Sequence, residues 1–309
     1  MEIIFYNVYL IIKIQHYLSS FREWWIYVIF GCLLIISCSL LFSRKKRCSV
    51  IRDNASSILP GNAQHIGSRE EQQDSFGFTD IYDEDFVREA GALCVLADGM
   101  GGMKGGKDAS GIAVKAFLNS YSLLSKDLPI EKRLYISCFS ANDEICEYAE
   151  NHEIKDMVGT TLVAAVIKDN NLYWLSVGDS RIYLFEENSL IQLTTDHVYA
   201  KELDQKVNRG EISIDEAKSH PERNSLTSFL GLEEITEIDV GHRQGTLRKG
   251  SKVILCSDGV YGSLHYDDIQ TIVASSSDSQ EACDVLVRSV LNKNKPYQDN
   301  ITVAIMTVV

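Results

Sequence analysis

The sequence has few of the residues that interrupt or cross-link a chain. Its 309 residues include only four prolines and no low-complexity tract, so long disordered linkers are not expected. The eight cysteines form no CxxC pair and no zinc-ligand spacing, which argues against a structural zinc site. Cys94 and Cys256 fall inside apolar runs and are interpreted as buried thiols of a reduced, cytosolic body.

Positive charge is scarce outside the N-terminal region. The whole chain has 30 basic and 43 acidic residues, and residues 1–52 hold seven of the basic and two of the acidic ones. The remainder therefore has 23 basic and 41 acidic residues, a net charge of −18. A body this acidic binds nucleic acid poorly, because the phosphate backbone requires clustered Lys and Arg. We expect no nucleic-acid partner.

Residues 24–42 are nineteen uncharged, mostly apolar residues. At ~1.5 Å per residue such a helix covers nearly the ~30 Å hydrocarbon core of a bilayer. Trp24 and Trp25 lie at one end and the basic run 44–47 follows the other, which favours a cytoplasmic C-terminal side. The basic run comes after the apolar stretch and no small-residue cleavage site is evident, so a signal peptide is disfavoured. We predict a single-pass membrane protein with residues 1–52 as anchor and basic juxtamembrane segment.

Four aspartates, distant in sequence, lie at the edges of predicted strands: Asp74, Asp98, Asp258 and Asp299. The apolar run 92–97 ends at Asp98-Gly99, where glycines allow a ligand to approach the backbone. For one Asp-Gly pair alone, a tight turn with a solvated carboxylate is the simpler interpretation. The recurrence favours a shared site, and clustered carboxylates require cations. Oxygen ligands without His or Cys suit Mg²⁺ or Mn²⁺.

The rest of the chain alternates between strand and helix patterns. Helical spacing predicts helices over 108–124, 130–150, 266–275 and 280–291. Short apolar or alternating runs predict strands over 62–67, 75–79, 159–167, 171–177, 182–185, 235–241, 252–257 and 301–309. Residues 168–170 are typical of a hairpin turn between two of these strands.

Residues 196–222 are polar and contain too few large apolar side chains to form core, so they predict a surface excursion that covers a site. His220 within it is by default a surface histidine. Asp179 and Arg181 are interpreted as structural, holding a tight connection through backbone hydrogen bonds. Asp156 and Arg69, taken alone, would pass as loop residues.

Seven short motifs in one order give a more specific indication. They are GSREEQQDS (67–75), ADGMGG (97–102), GTTL (159–162), VGDSRIYL (177–184), EAKSHPERNSLTSFLG (216–231), CSDGVYG (256–262) and QDNIT (298–302). Together they resemble the metal-dependent protein phosphatase family of the PP2C type, in its compact bacterial form. The resemblance covers roughly residues 60–309.

The resemblance implies an α+β fold, a four-layer α-β-β-α sandwich with two central antiparallel sheets, in a domain over residues 53–309. It also implies two Mn²⁺ or Mg²⁺ ions and a third, weaker site. By motif, Asp98 corresponds to the bridging carboxylate and the Gly99 carbonyl to a ligand. Asp258 and Asp299 correspond to ligands of the two ions.

Further roles follow from the same resemblance. Asp74 is similar to the acid that holds metal-bound water, and Asp156 to the aspartate that shares the third ion with Asp258. Arg69 matches the phosphate-binding arginine. Residues 196–222 resemble the flap linked to substrate choice, and His220 within it is our candidate for a further substrate contact.

Two departures from the family pattern concern the site. Met100 stands where animal members carry a histidine proposed as general acid, and bacterial members commonly have an apolar residue there. Gln73 replaces the acid usual before Asp74, which would weaken the metal site without removing a direct ligand.

The implied chemistry is hydrolysis of phosphoserine and phosphothreonine in a protein, by attack of a water or hydroxide that bridges the two metals. Arg69 would hold the phosphoryl group in line with that attack, and no covalent Ser or Cys intermediate is required. Partners would be a phosphorylated protein, a Ser/Thr kinase by family habit, and the membrane through the N-terminal helix. Two alternatives stay open at this point: a catalytically weak or inactive scaffold of the same fold, and a small-molecule phosphoesterase.

Overall fold

Ten strands and eight helices are assigned in the computed structural model, which describes residues 57–100, 105–155, 157–245 and 247–309. The strands are β1 Ile58–His65, β2 Asp74–Phe78, β3 Ala92–Asp98, β4 Leu162–Lys168, β5 Asn171–Val177, β6 Arg181–Glu186, β7 Ser189–Gln192, β8 Asp239–Arg243, β9 Lys252–Cys256 and β10 Ile301–Val308. The helices are α1 Glu84–Ala90, α2 Gly106–Leu123, α3 Ile130–Asn151, α4 Ala200–Asn208, α5 Ile214–Ser219, α6 Asp258–Tyr261, α7 Tyr266–Ser275 and α8 Ser279–Asn292.

The strands form two five-stranded sheets, both antiparallel. The first has the order β1-β10-β9-β6-β7 and the second β2-β3-β4-β5-β8. In the second sheet the register of β2 and β3 places Asp74 directly opposite Asp98. In the first sheet β9 and β10 are neighbours, so the residues after β9 and before β10 meet at one end.

Alternation along the strands divides the core into three apolar layers. In β3, Leu93 and Val95 pack with α2 and α3, whereas Leu96 packs between the two sheets. In β9, Leu255 joins the layer between the sheets, and Ile254 packs with α7 and α8 on the outer side. Each fully buried side chain of this size contributes about 1.5–3 kcal/mol of transfer free energy. The predicted four-layer α-β-β-α sandwich is therefore confirmed.

Two tight hairpins fix the register of neighbouring strands. Asp169 and Asn170 have φ of 50° and 60° between β4 and β5, and Glu187 and Asn188 have φ of 50° and 64° between β6 and β7. Positive φ at both central residues is the geometry of a type I′ turn, whose twist matches that of the strands it joins. The hairpin predicted at 168–170 is confirmed.

Several elements differ from the sequence prediction. Strand β1 spans 58–65 where 62–67 was predicted, and strand β7 was not predicted. Helix α1 was not predicted, although Asp83 caps it by accepting hydrogen bonds from the amides of Asp85 and Phe86. The single turn α6, directly after β9, was not predicted either. Strand β8 begins only at Asp239 because Ile235 and Ile238 pack against the core beside α2 and α3 without strand pairing.

The predicted single-pass membrane location is wrong for what the structure covers. No helix of the described residues is long and apolar enough to cross a bilayer. Residues 1–52, on which the anchor prediction rested, lie outside the described residues. The domain boundary at residue 53 stays a prediction.

Replacing glycine by alanine is expected to have opposite effects on stability at two positions, 61 and 111. A Cβ at Gly61 would lie 2.3 Å from the carbonyl carbon of Ser279, where β1 touches the start of α8. At Gly111, in the middle of α2, it would meet nothing within 4 Å. We expect Gly61→Ala to lower the free energy of unfolding by about 1–3 kcal/mol through overpacking. Gly111→Ala should raise it by about 0.5–1 kcal/mol through helix propensity.

Urea titration of both variants and the wild type measures the difference. A Gly61→Ala protein that unfolds at the wild-type urea concentration would contradict the close approach of β1 and α8.

Candidate active site

The four predicted aspartates converge where the two sheets end together. Asp74 is 4% exposed, and its Oδ2 accepts hydrogen bonds from Ser257 Oγ at 2.8 Å and Thr302 Oγ1 at 2.6 Å. Asp74 belongs to one sheet, whereas its two partners lie at the ends of β9 and β10 in the other. These hydroxyl groups therefore join the sheets at the point where Asp98, Asp258 and Asp299 emerge.

The carboxylates are close enough to change one another's ionisation. Burial raises the pKa of Asp98 well above its usual range, and the charges of Asp74, Asp258 and Asp179 raise it further. Burial raises the pKa of Asp258 to about 7, with Asp179, Asp299 and Asp74 adding to the shift and Arg69 opposing it. Burial also raises the pKa of Asp74, and the hydrogen bonds from Thr302 and Ser257 oppose this shift. The site thus concentrates more negative charge than its protein surroundings neutralise.

Arg69 places a positive charge beside this cluster. Its Nη2 lies 2.5 Å from Asp299 Oδ2, and its side chain is about half exposed. The loop that carries Arg69 is held by Asn300, whose Oδ1 accepts from the Gln73 amide at 2.7 Å and whose Nδ2 donates to the Ile66 carbonyl at 2.8 Å. Arg69 is thereby fixed beside the carboxylates with part of its guanidinium open to a ligand.

The backbone around Asp98 is braced by hydroxyl groups that the sequence analysis did not single out. Thr160 Oγ1 donates to the Asp98 carbonyl at 2.8 Å, and the Thr161 amide donates to the same oxygen at 2.9 Å. The Asp98 amide donates to Thr161 Oγ1 at 3.1 Å, and Ser180 Oγ lies 2.7 Å from that hydroxyl. The GTTL motif therefore positions Asp98.

Gly99 is required by the tight packing that follows Asp98. Its amide donates to the Gln73 carbonyl at 3.0 Å, and a Cβ at this position would lie 2.2 Å from the Gly106 carbonyl oxygen. The Met100 amide donates to the Gly159 carbonyl at 3.0 Å. The two departures noted in the sequence, Gln73 and Met100, thus keep backbone roles in the turn.

Asp179 is a fifth acidic group at the site, and the sequence analysis classed it as structural. Its charge raises the pKa of both Asp98 and Asp258. The signal for it was present, because Asp179 follows strand β5 and a glycine in the same way that the other aspartates border strands. Arg181 was expected to act through the backbone, but its guanidinium instead binds the side chain of Asp196 at 2.6 Å.

Two predicted residues are not joined to this cluster by any described contact. Asp156 lies outside the described residues. His220 directly follows helix α5, and its ring lies 5.4 Å from that of Tyr199. Its Nδ1 accepts from the Glu222 amide at 3.2 Å. Its predicted role in substrate binding stays a prediction.

The donor set suits a hard divalent cation, although the side chains are not disposed around one. Within the described ranges, no three His, Cys, Asp or Glu side chains are grouped so that they could hold a metal ion. Asp74 Oδ2 is turned to hydroxyl donors and Asp299 to Arg69. Asp74 Oδ1, however, is buried without a hydrogen-bond donor. An unpaired buried carboxylate oxygen among like charges fits oxygen-preferring Mg²⁺ or Mn²⁺.

Residues 62–294 match the family model described as Protein phosphatase 2C. The serine/threonine phosphatase stp of Listeria welshimeri is 36% identical over 222 residues, which cover 69% of this chain and 83% of that protein.

Two solved structures show the same architecture. The serine/threonine phosphatase of S. agalactiae is 28% identical with a TM-score of 0.69, covering 82% of this chain and 100% of that one. The catalytic domain of the serine/threonine protein phosphatase PstP, in complex with 2 manganese ions, is 27% identical with a TM-score of 0.64 and covers 82% of this chain and 98% of that one.

Proposed function

This chain belongs to the protein phosphatase 2C family, and we propose that it hydrolyses phosphoserine and phosphothreonine in proteins at the Asp98 cluster. It is a serine/threonine protein phosphatase that depends on Mn²⁺ or Mg²⁺. The observation that carries the proposal is the convergence of Asp74, Asp98, Asp258 and Asp299 beside a half-exposed arginine.

Asp98, Asp258 and Asp299, with the carbonyl of Gly99, would hold two divalent cations. Asp74 would orient water beside them through its unpaired Oδ1. Asp156 is proposed to bind a third, weaker ion together with Asp258. When bound, a pair of such ions lowers the pKa of water and neutralises the charge of the phosphoryl group. The assignment is supported by the raised pKa of Asp98 and Asp258, because excess negative charge favours a bound cation.

Arg69 is proposed to bind two oxygens of the substrate phosphate and to orient the phosphorus for attack from the side of the aspartates. Its planar guanidinium presents paired donors that match phosphate geometry. Its Nη2 donates to Asp299, and the side chain is still about half exposed to solvent. Substrate binding would therefore place the phosphate between Arg69 and the carboxylate cluster.

A covalent cysteine mechanism is disfavoured by the positions of the thiols. Cys94 and Cys256 lie fully inside the core, and burial raises the pKa of Cys256 to about 12. Burial raises the pKa of Cys94 well above its usual range. A nucleophilic cysteine needs a lowered pKa and access to substrate, and neither thiol has these. Water is thus the proposed nucleophile.

The partners follow from the reaction. The substrate is a phosphorylated protein, and we infer a Ser/Thr kinase that phosphorylates the same protein as the opposing enzyme. Residues 196–222, with helices α4 and α5, are proposed as the flap that contacts the substrate, and His220 is proposed as one of its contacts. An inactive scaffold is disfavoured because Asp98, Asp258 and Asp299 are all present.

Release of inorganic phosphate from synthetic phosphopeptides tests this function. We expect turnover of phosphoserine and phosphothreonine peptides with Mn²⁺, and none with EDTA, because the carboxylates alone cannot bind an anionic phosphate. Asp258→Asn should lower turnover at least about tenfold at limiting Mn²⁺, since changes near a metal site cost about 10–100-fold.

Two results would contradict the proposal. Equal rates of phosphate release with Mn²⁺ and with EDTA would show that the reaction does not depend on a metal ion. Turnover confined to small phosphoesters would replace the protein substrate by a small molecule.

A further inference from the structure

A chain of side-chain contacts connects the start of the flap to the turn that begins with Asp258. The guanidinium of Arg181 donates three hydrogen bonds to Asp196: Nε to Oδ1 at 3.0 Å and to Oδ2 at 3.2 Å, and Nη2 to Oδ2 at 2.6 Å. Asp196 is the first residue of the flap. Both side chains are about one-quarter or less exposed, so water competes weakly for the pair.

Backbone contacts fix the same junction. The His197 amide donates to the Gly178 carbonyl at 2.9 Å, and the Gly178 amide donates to His197 Nδ1 at 3.1 Å. His197 is 3% exposed. The base of the flap is therefore bound to the segment 178–181, which contains Asp179.

Tyr261 continues the connection to the carboxylate cluster. The Arg181 guanidinium carbon lies 3.6 Å from the centroid of the Tyr261 ring. The Tyr261 hydroxyl lies 3.0 Å from the Asp179 carbonyl oxygen and 3.1 Å from Asp179 Oδ2, and it donates to this pair. Tyr261 is the last residue of α6, the single turn whose first residue is Asp258. Its position and that of Asp258 are thus set together.

We propose that Tyr261 and Asp179 are positioning residues that couple the base of the flap to Asp258, so that cation binding at the cluster and ordering of the flap favour each other. This inference rests on the proposed function, since it presupposes a cation at Asp258. The coupling must be reciprocal. Contacts that order the base of the flap raise the affinity for the cation, and cation binding slows hydrogen exchange in the flap. None of the connecting residues needs to touch the substrate.

The test compares Tyr261→Phe with the wild-type full chain, using MnCl₂ as the only ligand. Phenylalanine keeps the ring under Arg181 and removes only the hydroxyl that holds Asp179. Calorimetry should show the Mn²⁺ dissociation constant raised roughly three- to tenfold, the change that corresponds to one lost hydrogen bond. Hydrogen exchange of amides in 196–222 should show less Mn²⁺-dependent protection than in the wild type.

The chain offers a matched control at Tyr121. It too is buried, its hydroxyl donates to a backbone carbonyl, that of Ala90, at 2.7 Å, and a guanidinium, that of Arg133, lies 3.8 Å from its ring centroid. Tyr121 packs in the other helical layer. Tyr121→Phe should lower the stability of the fold but leave the Mn²⁺ affinity within about twofold of the wild type. Tyr121 and the carboxylate cluster share no partners, so their effects should be independent.

Asp196→Asn is a second variant that weakens the link from the flap side. It should reproduce the loss of Mn²⁺ affinity seen in Tyr261→Phe, although residue 196 is not proposed as a ligand. Wild-type affinity and flap protection in both variants would overturn the coupling, as would reduced affinity with unchanged flap protection. A wild type that binds no Mn²⁺ would overturn this inference and the proposed function together, which distinguishes the two failures.

Discussion

Asp98→Asn is expected to lower kcat/KM for a phosphoserine peptide at saturating Mn²⁺ by more than about 100-fold, because even residues outside the direct ligand set change metal-site activity about 10–100-fold. The substitution keeps the shape of the side chain and leaves the backbone bonds to Thr160 and Thr161 in place. It removes the charge at the centre of the cluster.

Stability measured in EDTA separates this loss from misfolding. The pKa of Asp98 is raised in the folded protein, so its ionised form costs stability above the pKa of the unfolded chain. A neutral asparagine removes that cost, and the variant should unfold at the wild-type temperature or higher. The matched control is Asp85→Asn, at an exposed aspartate of α1 that pairs with Arg88. It should change neither kcat/KM nor the unfolding temperature in EDTA. Activity of Asp98→Asn near the wild-type level would contradict the central position of Asp98 in catalysis.

Arg69→Ala should lower kcat/KM for the same peptide about 10–100-fold, the value of hydrogen bonds to a charged group that are lost without replacement. The loss should appear largely in KM and in weaker competitive inhibition by inorganic phosphate. Mn²⁺ affinity should stay the same or rise, because the arginine competes for Asp299 Oδ2 at 2.5 Å. Steady-state kinetics with phosphate as inhibitor, together with calorimetry, measure these effects.

Two further variants sharpen the comparison. Arg69→Lys should recover part of the activity, since it restores the charge without the paired donors. Arg248→Ala removes an exposed arginine paired with Glu187 and should leave kinetics unchanged. If Arg69→Ala instead weakened Mn²⁺ binding and left KM unchanged, Arg69 would be a support of the metal site and not a phosphate ligand.

Most strands and the longer helices could be predicted from local patterns, whereas the four-layer architecture was implied by the resemblance to the phosphatase family. Strand β5 and helix α7 have the predicted bounds, since period-two and helical alternation reflect which face of each element is buried. The sequence allowed us to predict that Asp74, Asp98, Asp258 and Asp299 converge, because each of them borders a strand. The order of the seven motifs supplied the family resemblance, and the resemblance supplied the role expected of each aspartate.

What could not be predicted depends on contacts between distant parts of the chain. Thr302 bonds Asp74 across 228 positions, and no spacing rule connects them. The pairing of Arg181 with Asp196, and of Tyr261 with Asp179, likewise arises only when β6, α6 and the flap meet. The membrane location was inferred from the hydropathy of residues 24–42 and from the aromatic and basic residues at their ends. These features describe the composition of a segment and not where a helix lies.

Anomalous scattering from Mn²⁺ in crystals of the full chain tests the central claim most directly, since it locates the ions without reference to activity. The account predicts two peaks within bonding distance of the Asp98 carboxylate, with Asp258 and Asp299 as further ligands. Absence of Mn²⁺ from this cluster, with peaks only elsewhere on the protein, would contradict it.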